Sequence, residues 1–76
     1  MTMEEARAAV LSELKKAWDE SKDAWVTWRD SDPHYDMLSR AADDLAEEGL
    51  IKLKPAIGAF NAQITRAGRD YLTQKP

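Results

Sequence analysis

The chain has no cysteine, one histidine and only three glycines among its 76 residues. Without cysteine it can form neither disulfides nor thiolate metal sites, and it suits a reducing compartment. No stretch forms a glycine-rich phosphate-binding loop. A hydrolytic triad would need the single histidine, His34, close to Ser39 and an acid, a combination that chance supplies in most chains. We therefore expect no enzyme activity, no cofactor, no metal site and no small-molecule substrate.

Long apolar runs are also missing. No apolar stretch approaches the roughly 20 residues that a membrane-spanning helix needs. The start of the chain, Met1 to Glu5, lacks the basic flank of a signal peptide. These two features predict a cytoplasmic protein without a membrane segment.

The apolar and charged residues that are present suit one small domain over residues 1–76, since 43% of the chain is hydrophobic and 33% is charged. A domain of this size buries only about 60% of the surface of its unfolded chain. A second copy of the chain would add burial. We therefore expect a homodimer.

Charge is distributed unevenly along the chain. The net charge of −3 counts against simple nucleic-acid binding, because lysine and arginine supply most non-specific affinity by neutralising phosphates. However, residues 1–29 carry −1, residues 30–49 carry −6 and residues 50–76 carry +4. The middle of the chain is acidic and its last third is basic.

The first helix is marked at its start by a capping-box pattern, Thr2 with Glu5 three positions later. Apolar residues then recur at three- and four-residue spacing, which predicts an amphipathic helix to about Ser21. Its buried face is expected to hold Ala6, Val10, Leu14 and Ala17 or Trp18.

A second helix is expected from about Pro33 to Glu48, with Asp32 as its cap and Gly49 as a left-handed stop. Its inward face is expected to hold Tyr35, Leu38, Ala42 and Leu45.

Three strands are predicted around this helix. Residues 24–28 combine aromatic and β-branched side chains, and Ser31-Asp32-Pro33 ends that strand. Residues 50–54 and 62–65 form the other two, joined by a wing over residues 55–61. Thr65 is expected to cap a final short helix that delivers Tyr71 and Leu72 to the core and ends at Pro76.

About half of the chain resembles a known fold family. The resemblance lies between Tyr35 and Leu72, in Tyr-Asp-Met-Leu-Ser-Arg-Ala-Ala-Asp-Asp-Leu-Ala-Glu-Glu-Gly-Leu-Ile, a hairpin, and Ile-Thr-Arg-Ala-Gly-Arg-Asp-Tyr-Leu. This pattern resembles the second half of a winged helix-turn-helix domain. The resemblance implies an α+β fold in the order helix, strand, helix, strand, strand, short helix. It also implies a DNA-binding transcriptional regulator of a bacterium or phage that acts as a dimer.

The resemblance assigns the recognition helix to residues 35–48, and it leaves the usual supporting helix missing or reduced to the turn from Asp30 to Pro33. Exposed residues near the start of a recognition helix face base edges in the major groove. Here these are His34, Met37, Arg40 and Ala41, with Ser39 beside them. The alternative is an ordinary solvated acidic face.

Basic residues of the wing and the final helix are the expected phosphate contacts: Lys52, Lys54, Arg66 and Arg69. The alternative for the two lysines is that they protect a sheet edge against aggregation.

A protein-interaction module, for example a phage-encoded inhibitor of a host component, is the alternative function. The acidic helix over residues 32–48 would then meet a basic partner. Tryptophan is also enriched at interface hot spots, although core packing explains most of the three tryptophans. The candidate partner contacts are Trp25, Trp28, Asp43, Asp44 and Glu47.

Overall fold

A computed structural model describes residues 1–74 and has the α+β order that the sequence predicted. The elements are α1 (Met3–Glu20), β1 (Val26–Arg29), α2 (Tyr35–Glu47), β2 (Ile51–Ala56), β3 (Ala59–Ile64) and α3 (Arg66–Gln74). Within these residues, three helices accompany one three-stranded antiparallel sheet with strand order β1-β3-β2. This order is compatible with a winged helix.

The predicted capping box starts α1. The Glu5 amide donates to Thr2 Oγ1 at 3.1 Å, and the Thr2 amide donates to Glu5 Oε1 at 2.9 Å. The hydrogen bond that the Thr2 amide donates to the Glu5 carboxylate favours its charged form and lowers the pKa of Glu5. Ser21 ends the helix, as predicted. The buried residues of α1 are Ala6, Val10, Leu11 and Leu14, while Trp18 is half-buried at the edge of the core.

The start of α2 differs from the prediction. The helix begins at Tyr35 rather than Pro33, and Asp32 caps a turn instead of the helix. One oxygen of the Asp32 carboxylate accepts the His34 amide at 2.8 Å, and the Asp32 carbonyl accepts the Tyr35 amide at 3.0 Å. The segment between β1 and α2 is therefore a turn and not a supporting helix.

The inward face of α2 is broader than predicted. Ala41 was expected to face outward, but it is fully buried beside Ala42, and Met37 is partly buried against the core. The reason is that α2 packs against both α1 and β2, so it needs apolar residues over a wider arc than one contact would require. Leu38 and Leu45 are buried as predicted.

Strand boundaries also differ from the prediction. β1 lies two positions later than expected at its start, and both strands of the hairpin extend into the predicted wing. The loop that remains is Ile57 and Gly58 alone. Pro55 did not end β2, since β2 is an edge strand and an edge strand tolerates a residue without an amide hydrogen.

The tip of the hairpin is tied to the turn that precedes α2. The Asp30 amide donates to the Gly58 carbonyl at 2.8 Å, and the Asp30 carboxylate occupies the space where a side chain on Gly58 would begin. A Cβ on Gly58 would approach Asp30 Oδ2 to 2.9 Å. The tip of the hairpin and the β1–α2 turn are therefore one packed unit.

Thr65 caps α3, as predicted. Its hydroxyl donates to the Gly49 carbonyl at 2.7 Å and accepts the Gly68 amide at 3.1 Å. Leu72 is partly buried against the core, but Tyr71 is 40% exposed at the rim of a groove between α1 and α3, so the prediction that Tyr71 enters the core is wrong. The predicted end at Pro76 lies outside the described residues.

None of the helices within residues 1–74 is long and apolar enough to cross a membrane.

Candidate functional site

Alternation along the strands divides the sheet into two faces. Ile51, Leu53 and Phe60 point to the inner face, which packs on the helices. Their neighbours in sequence point the other way, and cross-strand partners share a face. We name the opposite surface the outer sheet face and define it by Trp25, Thr27, Arg29, Lys52, Lys54, Asn61 and Gln63.

The outer sheet face is basic. Lys52, Lys54 and Arg29 are all exposed on it, and none of its seven residues carries a carboxylate. The two lysines were predicted from the sequence as phosphate contacts, whereas Arg29 was not. Strand alternation could have identified Arg29, because it lies two positions after Thr27 and therefore on the same face. It was missed because the strand was predicted to end one residue too early.

An exposed indole lies among these cations. Trp25 is 40% exposed, and Lys54 Nζ lies 4.9 Å from the centroid of its ring. At this distance a cation is attracted to the electron-rich face of the ring. The contact places the Trp25 ring beside Lys54 on the outer sheet face.

Neutral polar side chains lie between the cations. Thr27, Asn61 and Lys54 form one row across the sheet, and the Thr27 hydroxyl is hydrogen-bonded to the Asn61 side chain. Gln63, in the row beside Lys52, is only 6% exposed.

Trp28 lies on the inner face, away from Trp25. Its ring stacks on Phe60 with the centroids 5.1 Å apart, and Tyr35 at the start of α2 packs on the same Phe60 ring at 5.7 Å. Trp28 thus contributes to the aromatic packing that joins the sheet to α2.

The basic residues of α3 are separate from the outer sheet face. The Arg69 guanidinium lies over Trp18 of α1, 3.8 Å from the ring centroid, on the helical side of the sheet. Arg66 is exposed in the first turn of α3. The four basic residues predicted as one phosphate-binding group therefore occupy two surfaces.

The exposed side of α2 is acidic. Arg40 is the one cation on the helix, and His34 is exposed at its start, while Ser39 is partly buried. Within the described residues, the ion pairs are Arg7–Glu48 and Lys15–Asp19, so the α2 carboxylates lie free of ion pairing there. These exposed carboxylates are Asp36, Asp43, Asp44 and Glu47.

The carboxylate just after α2 is used differently. Both oxygens of Glu48 accept hydrogen bonds from the Arg7 guanidinium of α1, at 2.6 and 2.7 Å. These bonds favour the charged form and lower the pKa of Glu48. Glu48 therefore links two helices, whereas the acidic residues before it face solvent.

No family model matches the chain, and no curated protein or solved structure does either. A group of three or more acidic or histidine side chains that could hold a metal ion does not occur among residues 1–74. The geometry leaves three candidate surfaces: the outer sheet face, the hairpin tip together with the start of α2, and the acidic side of α2.

Proposed function

We propose that this chain is a small winged-helix DNA-binding protein of the transcriptional-regulator type that acts as a homodimer. The observation that carries the proposal is the hydrogen bond between the Asp30 amide and the Gly58 carbonyl, 2.8 Å long. It joins the hairpin tip to the turn before α2, so the hairpin and the start of the helix can meet a duplex together. Side-by-side presentation of a helix and a wing is what the winged-helix resemblance implies.

The start of α2 is the part of the helix suited to a DNA groove. His34 and Arg40 are exposed there, and the arginine fork can donate two hydrogen bonds to a guanine. The later half of the exposed side carries Asp43, Asp44 and Glu47, which repel phosphates. The proposed docking therefore uses the first two turns of α2, where Asp36 is the one exposed carboxylate, and leaves its end away from the backbone.

Lysines of the hairpin supply the proposed phosphate contacts. Lys52 and Lys54 are exposed, and neither forms an ion pair within residues 1–74. Contacts of this kind fix the position of a protein on DNA without reading the sequence. Arg66 and Arg69 of α3, outside the outer sheet face, are proposed as additional contacts for flanking DNA.

The first test is fluorescence anisotropy with random-sequence duplex DNA at about 50 and 200 mM salt, a range over which phosphate contacts lose affinity steeply. We expect binding that weakens with salt. Arg40→Ala should weaken it and change the sequence preference, while Lys54→Ala should weaken all sequences and reduce the salt dependence.

Lys16→Ala is the matched control, because Lys16 is an exposed lysine on α1. Wild-type affinity for DNA in both Arg40→Ala and Lys54→Ala would contradict the proposal. Light scattering at the concentration used for binding would test the proposed dimer.

The acidic side of α2 favours a second candidate function, binding of a protein with a basic surface. Four exposed carboxylates on one helix can steer such a partner and set its orientation. If affinity capture with the wild-type chain recovers a salt-sensitive partner, the double variant Asp43→Lys, Asp44→Lys should no longer bind it. A partner retained by that double variant would contradict this alternative.

A further inference from the structure

The outer sheet face carries one feature that duplex binding does not use. Trp25 presents a 40% exposed indole next to cations and amide side chains. The faces of duplex bases are hidden inside the stack, so an aromatic ring on a sheet has nothing to stack on there. Unpaired bases expose those faces, and proteins bind them with aromatic side chains in a basic surface.

We propose that the outer sheet face binds single-stranded nucleic acid, with one base stacked on Trp25 and the backbone phosphates bound by the three cations of that face. The proposal goes beyond duplex recognition by α2, although both use Lys52 and Lys54.

The cations are spaced along the sheet in a way that suits a chain of phosphates. Lys52 and Lys54 are two positions apart on β2, about 7 Å along an extended strand. Arg29 is displaced from Lys54 in the opposite direction along the sheet, because it pairs with Ala59 while Lys54 pairs with Asn61. The positive charge therefore extends along the outer sheet face instead of concentrating at one point.

Lys54 has a different role in the free and the bound state. In the free protein its ammonium covers the Trp25 ring at 4.9 Å. A stacked base contributes more binding free energy than an exposed cation over a ring, so a base can displace the ammonium. The flexible lysine side chain can then reach the phosphate next to that base.

Neutral groups beside the ring can bind base edges. Thr27 and Asn61 lie in the row of Lys54, and their side chains both donate and accept hydrogen bonds. An acidic peptide would satisfy the cations equally well, but it would leave the indole unused. The combination of ring, amide and cation therefore favours a single strand over an acidic peptide.

The test is anisotropy of labelled oligothymidylate of about 15 nucleotides, within the site sizes of single-strand-binding domains. A random duplex of the same length and a polyglutamate competitor are measured beside it at about 50 mM salt. We expect Trp25→Leu to weaken oligothymidylate binding about tenfold and to leave duplex binding unchanged. Trp25→Phe should restore most of the affinity, and Lys16→Gln should behave as wild type.

Melting curves identify variants that fail to fold, and the double variant Lys52→Gln, Lys54→Gln provides an independent test of the same face. Oligothymidylate binding that Trp25→Leu or this double variant leaves unchanged would overturn the inference. The absence of oligothymidylate binding would overturn it too. So would a result in which polyglutamate displaces the oligothymidylate and Trp25→Leu and Trp25→Phe lose equal affinity for it.

The two proposals can fail separately. Duplex binding without oligothymidylate binding removes this inference and leaves the proposed function. Oligothymidylate binding without duplex binding leaves this inference and removes the proposed function.

Discussion

Gly68 and Gly49 are required by this fold for two different physical reasons. A Cβ on Gly68 would lie 2.1 Å from the Leu50 carbonyl oxygen and 2.8 Å from Ile64 Cγ1, so α3 could not approach the sheet. A Cβ on Gly49 would meet nothing within 4 Å, but this residue has a φ of +78°. The first position excludes a side chain by contact and the second by backbone conformation.

These two glycines give a matched prediction. Gly49→Ala should cost about 1 to 2 kcal/mol of unfolding free energy, the strain of a left-handed residue. Gly68→Ala should cost about 3 kcal/mol or more, because the backbone carbonyl that it meets cannot rotate away as a side chain could. Urea unfolding of both variants measures the difference. Equal losses would mean that α3 does not pack against Leu50 as described.

The least predictable part of the site was which side chains, distant in sequence, pack on each other at the surface. The sequence showed Arg69 and Lys54 as free basic groups, yet each lies over a tryptophan that is distant in sequence, Trp18 and Trp25 respectively. Local periodicity contains no information on such pairs. The caps Thr2 and Thr65 were predictable for the opposite reason, since each bonds an amide three residues away.

At the scale of elements, α1 and α2 are joined both by apolar packing and by one bidentate ion pair, Arg7–Glu48. Arg7 lies in the second turn of α1, and Glu48 follows the last turn of α2. Because both ends of the pair lie at the protein surface, salt screens the attraction. The pair adds to a contact that the buried leucines of the two helices already make.

Replacing Glu48 with glutamine should lower the melting temperature slightly at neutral pH. The folded-state pKa of Glu48 is lowered by Arg7, so its stabilisation is fully present above the ordinary glutamate pKa. It is lost as the pH falls through that value, about 4.3, to the lower folded-state pKa. The wild-type and Glu48→Gln melting temperatures should therefore converge in acid and in high salt.

Glu47→Gln is the control for this experiment, since Glu47 is exposed and forms no ion pair within residues 1–74. A loss in Glu47→Gln equal to that in Glu48→Gln would assign the effect to general charge and not to Arg7.

Element order was predictable from the sequence, whereas strand ends were not. Alternation of Ile51 and Leu53 with lysines identified β2, but Pro55 suggested that the strand had ended. Proline is tolerated there only because β2 lies at the sheet edge, which is a property of the strand order. The wing was therefore predicted too long, and the tie between Asp30 and Gly58 had no local signal.

At the scale of the whole molecule, charge is separated between two surfaces. The outer sheet face carries Lys52, Lys54 and Arg29, and the exposed side of α2 carries carboxylates that form no ion pairs within the described residues. Such an arrangement lets one small protein attract a polyanion to the outer sheet face and repel it from the later half of α2. Net charge alone, at −3, conceals this separation.

The stability of the molecule depends on a core that is small. Domains typically have roughly 0.05 to 0.15 kcal/mol of stability per residue, which is about 4 to 11 kcal/mol for a chain of this length. Leu45 and Leu14 are among the largest fully buried side chains. A single cavity at either position therefore removes a large part of the total.

Leu45→Ala should reduce the free energy of unfolding by about 2 to 5 kcal/mol, because the side chain is fully buried where α2 packs into the core. Leu53→Ala is the control, since Leu53 is only partly buried on β2, and it should cost less. Urea unfolding followed by circular dichroism measures both. A Leu45 variant as stable as the Leu53 variant would mean that α2 presents a different face to α1 and the sheet.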